Sequence, residues 1–217
     1  MSLPLLFVDE LRGFYKSKVM LFLWVGMPVF GLLVHLLAQG EQEMPVSVLT
    51  AILVSTISGT LASAMLVVSV LNERERHVFD LFVVRPVKRR DLLLAKFFAV
   101  YVCVVTAAMI AVGVGAAIDY LDASMAMDVV LKGVGESLVM SFAMLAVTAS
   151  AGVLIGIAAP SMLVGVILVI YGGNQMSAVV GLLGFYIGND VLTIGLGVII
   201  AVMLLTITIR VFDRKQI

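Results

Sequence analysis

Apolar residues along this chain come in long unbroken runs, not in alternation. Six stretches, 19–38, 47–71, 94–118, 134–158, 161–181 and 191–210, are long enough to cross a bilayer as helices. A helix rising about 1.5 Å per residue needs about 20 residues to cross a hydrocarbon core of about 30 Å. Strands are not expected, because the runs do not alternate and isolated strands would leave backbone groups unpaired in lipid. Two stretches read differently. Leu3, Phe7, Leu11 and Phe14 are spaced 4, 4 and 3, on one helical face, with Asp9, Glu10, Arg12 and Lys16 elsewhere. That pattern predicts an amphipathic helix lying in the membrane interface. The fifth run is interrupted by Gly172-Gly173-Asn174-Gln175 before Met176–Ile187 turns apolar again. It is either one glycine-weakened helix or a span followed by a short re-entrant element at the outer face, and the second is favoured here.

Composition agrees with this pattern. The chain has 217 residues, 62% of them hydrophobic and 13% charged, and its mean hydropathy is +1.19. A soluble domain carries about 25% charged residues. With Asp9 and Glu10 ahead of the first apolar run, the N-terminus does not read as a cleavable signal. No Pro- or Ser-rich linker divides the sequence, so residues 1–217 are expected to form a single transmembrane domain.

Net charge is zero, with 14 Lys plus Arg against 14 Asp plus Glu, and it points to no nucleic-acid partner. The placement of the charges is more informative. Thirteen of the 14 basic residues lie before the first run, between the second and third, or after the last. The other connections carry Glu41, Glu43, Asp119, Asp122, Asp128 and Asp190, and the one exception is Lys132. The positive-inside rule then places both termini and the 72–96 connection in the cytoplasm of a multi-pass plasma-membrane protein. An even number of spans is required, and six satisfies it.

The 72–96 connection, NERERHVFDLFVVRPVKRRDLLLAK, holds seven of the 14 basic residues. Glu73 to Val84 can form a helix, with Glu73/His77 and Arg76/Asp80 at i, i+4 and Val78, Phe79, Leu81, Phe82 and Val83 giving it an apolar side. Pro86 ends it, Arg89 and Arg90 mark the membrane edge, and Asp91 can cap the next helix. Lys96 is expected to snorkel to the headgroups with Arg89 and Arg90. Orientation alone accounts for the cations. It does not account for Glu73, Glu75 and Asp80, because acids contribute little to topology. A docking surface for a cytoplasmic protein accounts for both.

At these residues the chain resembles the type-2 ABC transporter permeases, exporter-like membrane subunits. Glu73, Glu75, Asp80, Pro86, Arg89, Arg90, Asp91 and Lys96 stand where that family has its acids, proline, basic pair, acid and lysine. Asp80 replaces a Glu, and His77-Val78 replaces Gly-Thr. The resemblance implies an all-α integral membrane fold of six transmembrane helices. It also implies an N-terminal interfacial helix and a cytoplasmic coupling helix between spans two and three. That coupling helix would seat in a groove of a separate ABC ATPase subunit, and a second permease copy or paralogue would complete the transporter. The contacts would come from Glu73, Glu75, Arg76, Phe79, Asp80, Phe82, Val83, Pro86, Arg89, Arg90 and Asp91. ATP would bind the partner, since no G-x-x-x-x-G-K-[ST] loop occurs here. No cofactor and no enzymatic activity of its own are expected.

The remaining features carry less. Gly152/Gly156 and Gly184/Gly188 are G-x-x-x-G pairs suited to close helix approach, within the chain or between subunits. Lys132 and Glu136, at i, i+4, and Asn174 and Gln175 are candidates for lining a translocation path. Each pair also has an ordinary structural reading. His35 has no second ligand at metal spacing, and the single Cys103 lies in an apolar run. An intramembrane hydrolase is disfavoured by the lack of G-x-S-x-G and H-E-x-x-H. A secondary transporter is disfavoured by the lack of mid-span acids and inverted repeats. The alternative to export is a non-transporting membrane anchor or immunity-type protein that recruits a cytoplasmic partner through the same connection.

Overall fold

A computed structural model describes residues 3–37, 46–75, 89–122, 127–173 and 190–214, with a few isolated residues between 174 and 189. The described residues are helical apart from short turns, with no strand among them. Helix α1 spans Leu3–Tyr15, α2 Lys18–Leu37, α3 Val46–Glu75, α4 Arg89–Asp122 and α5 Met127–Ala158. A short α6, Met162–Leu168, runs into a π-helical turn at Val169–Gly173, and α7 spans Asp190–Arg214.

Four of these helices, α3, α4, α5 and α7, are each long and apolar enough to cross a membrane. A fifth crossing is reached if α1 and α2, which meet at 68°, count as one bent pair. These features fit an all-α membrane protein. The expected first span corresponds to α2. The expected fifth span corresponds to α6 and its π turn, a short apolar helix over Met162–Gly173. Its seven α-helical and five π-helical residues reach only about 18 Å at ~1.5 Å per residue. Gly172-Gly173 therefore sits inside the distorted turn. By contrast, α3, α4 and α5 have 30, 34 and 32 residues and reach about 45–50 Å, well beyond a hydrocarbon core of about 30 Å.

Two expected boundaries move. The second span does not stop at 71: α3 continues unbroken through Glu75, so Glu73, Arg74 and Glu75 ride on the spanning helix itself. Helix α4 begins at Arg89, so Asp91 lies in its first turn and is not its cap. There its carboxylate still favours the positive end of the helix dipole.

The α1–α2 bend forms at Ser17, whose hydroxyl accepts from the Met20 amide at 3.2 Å and caps α2. Leu6 of α1 is buried, and Phe7, Leu11 and Phe14 pack on the main core, while Leu5 and Val8 point outward. Helix α2 is fastened to α4 where the Trp24 indole donates to the Cys103 carbonyl at 3.3 Å. Met20, Leu23 and Met27 of α2 meet Val100, Val104, Ala107 and Ala111 of α4 in the same core.

The tightest contact joins α3 to α5, which run parallel. A Cβ placed at Gly152 would lie 2.6 Å from the Ser63 Cα, and one at Gly59 would lie 2.9 Å from the Thr148 Oγ1. One turn on, a Cβ at Gly156 would lie 3.3 Å from the Val67 Cα. Lipid chains are as apolar as leucine, so burial gives helices little reason to associate in a membrane. Close approach through small residues supplies dispersion and hydrogen bonding instead. Ser63 Oγ donates across the seam to the Thr148 carbonyl at 2.6 Å, and Ser55 hydrogen-bonds Ser141. The Gly152/Gly156 pair thus serves packing within one chain, while Gly184 and Gly188 lie outside the described residues.

Gly152→Val tests this seam, because its Cβ meets backbone that cannot rotate away. The variant is expected to lose about 1–3 kcal/mol, read as a lower thermal midpoint in detergent. Gly113→Ala, at a site with nothing within 4 Å of the added methyl, should match or slightly exceed the parent.

Candidate functional site: one lysine shared by two carboxylates

Five elements converge at one end of the bundle: α1, the end of α3, the start of α4, the end of α5 and the start of α6. At their centre is Lys96, which the apolar sequence Leu92-Leu93-Leu94-Ala95 carries about two turns into α4. The residue is 2% exposed. Its Nζ lies 2.5 Å from Glu73 Oε1 and 2.8 Å from Glu10 Oε1, and it donates to Ser69 Oγ at 3.3 Å. The expectation that Lys96 reaches the headgroups is therefore corrected. Two acids draw the ammonium inward, because an unpaired charge buried at this depth would be far costlier than a paired one.

Glu10 is corrected with it. It follows Leu6 by four residues and precedes Phe14 by four, so it belongs to the packed face of α1 and not to the polar one. Ser69 and Glu73, four apart on α3, present Oγ and Oε1 respectively to the same ammonium. The second oxygen of Glu73, Oε2, is buried with no hydrogen-bond partner among the described residues.

The next residue of α3 faces another way. Arg74 Nη1 donates to the Ala159 carbonyl at 3.1 Å, just past the end of α5 and before Pro160. A guanidinium there satisfies an orphan carbonyl and complements the negative end of the helix dipole. Ser161 then caps α6, accepting from the Val164 amide at 3.4 Å. The last turn of α3 thus holds α4 through Glu73, and the α5–α6 junction through Arg74.

The remaining expected site residues separate into groups. Glu75 ends α3 exposed. Arg90 is more than half exposed, 3.9 Å from its neighbour Asp91, and Arg89 starts α4. Arg76, Phe79, Asp80, Phe82, Val83 and Pro86 lie outside the described residues. Lys132 and Glu136 sit far from this end, 4.0 Å apart, with side chains 80% and 53% exposed. They form a surface pair on α5. Gln175 is exposed, and Asn174 lies outside the described residues.

The shared lysine was missed in the sequence, although two local signals point to it. Lys96 stands inside an apolar run where a headgroup-seeking lysine would sit at the edge. Glu10 falls on the register of buried Leu6. Neither signal names the other partner. No protein-family model, curated protein or solved structure matches this chain.

Removing the ammonium should be costly. Lys96→Met is expected to lose about 3–5 kcal/mol, because it strands two buried carboxylates, and this would be measured by denaturation in detergent. The triple variant with Glu10→Gln and Glu73→Gln should recover most of that loss. A triple variant as unstable as Lys96→Met alone would show that the cost is packing and not charge.

Proposed function

We propose that this protein is the membrane-spanning subunit of an ATP-driven exporter of the ABC type, with six spans and both termini in the cytoplasm of a plasma-membrane-bound cell. ATP is bound and hydrolysed by a separate cytoplasmic subunit that grips the 72–96 connection. Phe79, Phe82 and Val83 supply the apolar contact. Glu75, Arg76 and Asp80 set its register, and Pro86 ends the helix ahead of Arg89, Arg90 and Asp91. A second copy or a paralogue completes the path across the bilayer, and the remaining surface faces lipid.

The observation that carries this reading is how the connection is mounted. Its two flanks, the end of α3 and the start of α4, are clamped to each other by Glu73 and Lys96 and to α5 by Arg74. A segment held only for topology needs no such mounting. A segment that takes a mechanical load does, because displacement is transmitted only through packed or ion-paired contacts. Glu73 accordingly moves from the docking face, where the resemblance placed it, to the mounting of that face. The exposed apolar faces of α2 and α7, including Phe22, Leu36, Val191 and Met203, support a chain surrounded by lipid and partner helices.

The partner is tested by co-purification in mild detergent with a co-expressed ABC ATPase. A stoichiometric complex is expected, lost in Phe79→Asp without loss of membrane insertion. A complex that survives Phe79→Asp, or ATP-driven transport by that variant, would refute the docking role of this segment. Orientation is tested separately with single cysteines in a Cys103→Ala background. Glu41→Cys should react with an impermeant maleimide on intact cells, and Arg90→Cys only after permeabilisation. The opposite labelling would place the connection outside and exclude a cytoplasmic ATPase.

A further inference from the structure

We propose that Glu10 and Glu73 compete for the Lys96 ammonium, so that the docking of α1 and the seating of the last turn of α3 are antagonistic. This makes α1 a releasable latch. The inference goes beyond the export reading and is tested without any partner.

Three features of the cluster lead to it. The first is charge: two carboxylates share one buried ammonium, leaving an excess of one negative charge where screening by water is weak. Among the described side chains, the other charged groups nearby do not cancel it. Arg74 is turned to the Ala159 carbonyl, Arg90 is on the surface beside Asp91, and Arg12 and Asp9 are exposed on the outer side of α1. The second is the orphan Oε2 of Glu73. A carboxylate with one oxygen on Lys96 and the other unsatisfied gains by taking a larger share of the ammonium. Glu10 stands in the way of that share.

The third feature is asymmetry. The end of α3 is held by α5 and α6 through Leu71, Val67 and Arg74, so it is the better anchored of the two. Helix α1 packs mainly on α4 through Leu6, Phe7, Leu11 and Phe14, exposes Leu5 and Val8 outward, and passes into α2 through the bend at Ser17. If one carboxylate lets go, it is Glu10. Its departure leaves Lys96 and Glu73 as a neutral pair, which carries no penalty of an unpaired charge. A shift of the α3 end toward Lys96 therefore loosens α1, and a shift away tightens it.

The test is hydrogen–deuterium exchange of residues 3–15 in the full-length protein in lipid nanodiscs. Glu73→Gln removes the competitor, so exchange across α1 should slow by about tenfold, equivalent to ~1.4 kcal/mol. Glu10→Gln should speed it by a similar factor while α3 and α4 stay protected. Asp9→Asn, which changes α1 by the same charge outside the cluster, should track the parent. Unchanged or faster exchange of α1 in Glu73→Gln would overturn the proposal, since it would mean the two acids support each other. A response of Asp9→Asn equal to that of Glu10→Gln would also overturn it, because the effect would then be one of net charge.

Discussion

One buried ammonium organises the charged end of this protein. Lys96 lies at 2% exposure with a carboxylate from α1 on one side and one from α3 on the other. A buried ion pair seldom adds much net stability, because desolvation consumes most of the attraction. What it contributes is discrimination. An α3 rotated by one residue would put Arg74 against Lys96, and an α1 rotated likewise would bury Asp9 or Leu11 there instead of Glu10. The cost of the wrong arrangement sets the rotation of three helices at once.

Elsewhere, in the apolar stretch, rotation is set by shape. Gly59, Ser63 and Val67 on α3 face Thr148, Gly152 and Gly156 on α5, and the backbones meet so closely that any side chain at Gly152 would enter Ser63. The serines and threonines along this seam bond to carbonyls of their own helix or of its neighbour, so they add little polar cost. The two devices are complementary. Small residues fix α3 on α5 through the depth of the bundle, and charges fix α3 and α1 each on α4 at its end. Arg74 then ties the end of α5 into the same corner.

On the export reading proposed above, the paired ends of α3 and α4 are the base on which the 72–96 connection would meet a soluble ATPase subunit. That reading also explains why acids accumulate among the cations there. Glu73 pairs with Lys96, whereas Glu75 and Arg90 lie at the surface, open to the proposed partner. The residues fall into these two sets by the direction each helix position faces, and charge alone does not sort them.

Much of the architecture was legible in the sequence because it depends on local quantities. Run length against bilayer thickness locates α3, α4, α5 and α7. The 4-4-3 spacing of Leu3, Phe7, Leu11 and Phe14 marks α1, and Gly172-Gly173 falls in the π-helical turn that follows α6. The helices run further than the apolar runs, α3 through Glu75 and α4 from Arg89, since a hydropathy window does not detect backbone hydrogen bonding that continues into polar sequence. The partners were not legible. Glu10 and Lys96 are 86 positions apart, as far as Ser63 and Thr148 at 85, and no periodicity within one helix says which neighbour it meets. Only the tertiary structure decided that Lys96 turns inward and that Glu73 and Arg74 face opposite neighbours. It also decided that Gly152 serves its own chain, because each of these outcomes depends on two helices being brought together.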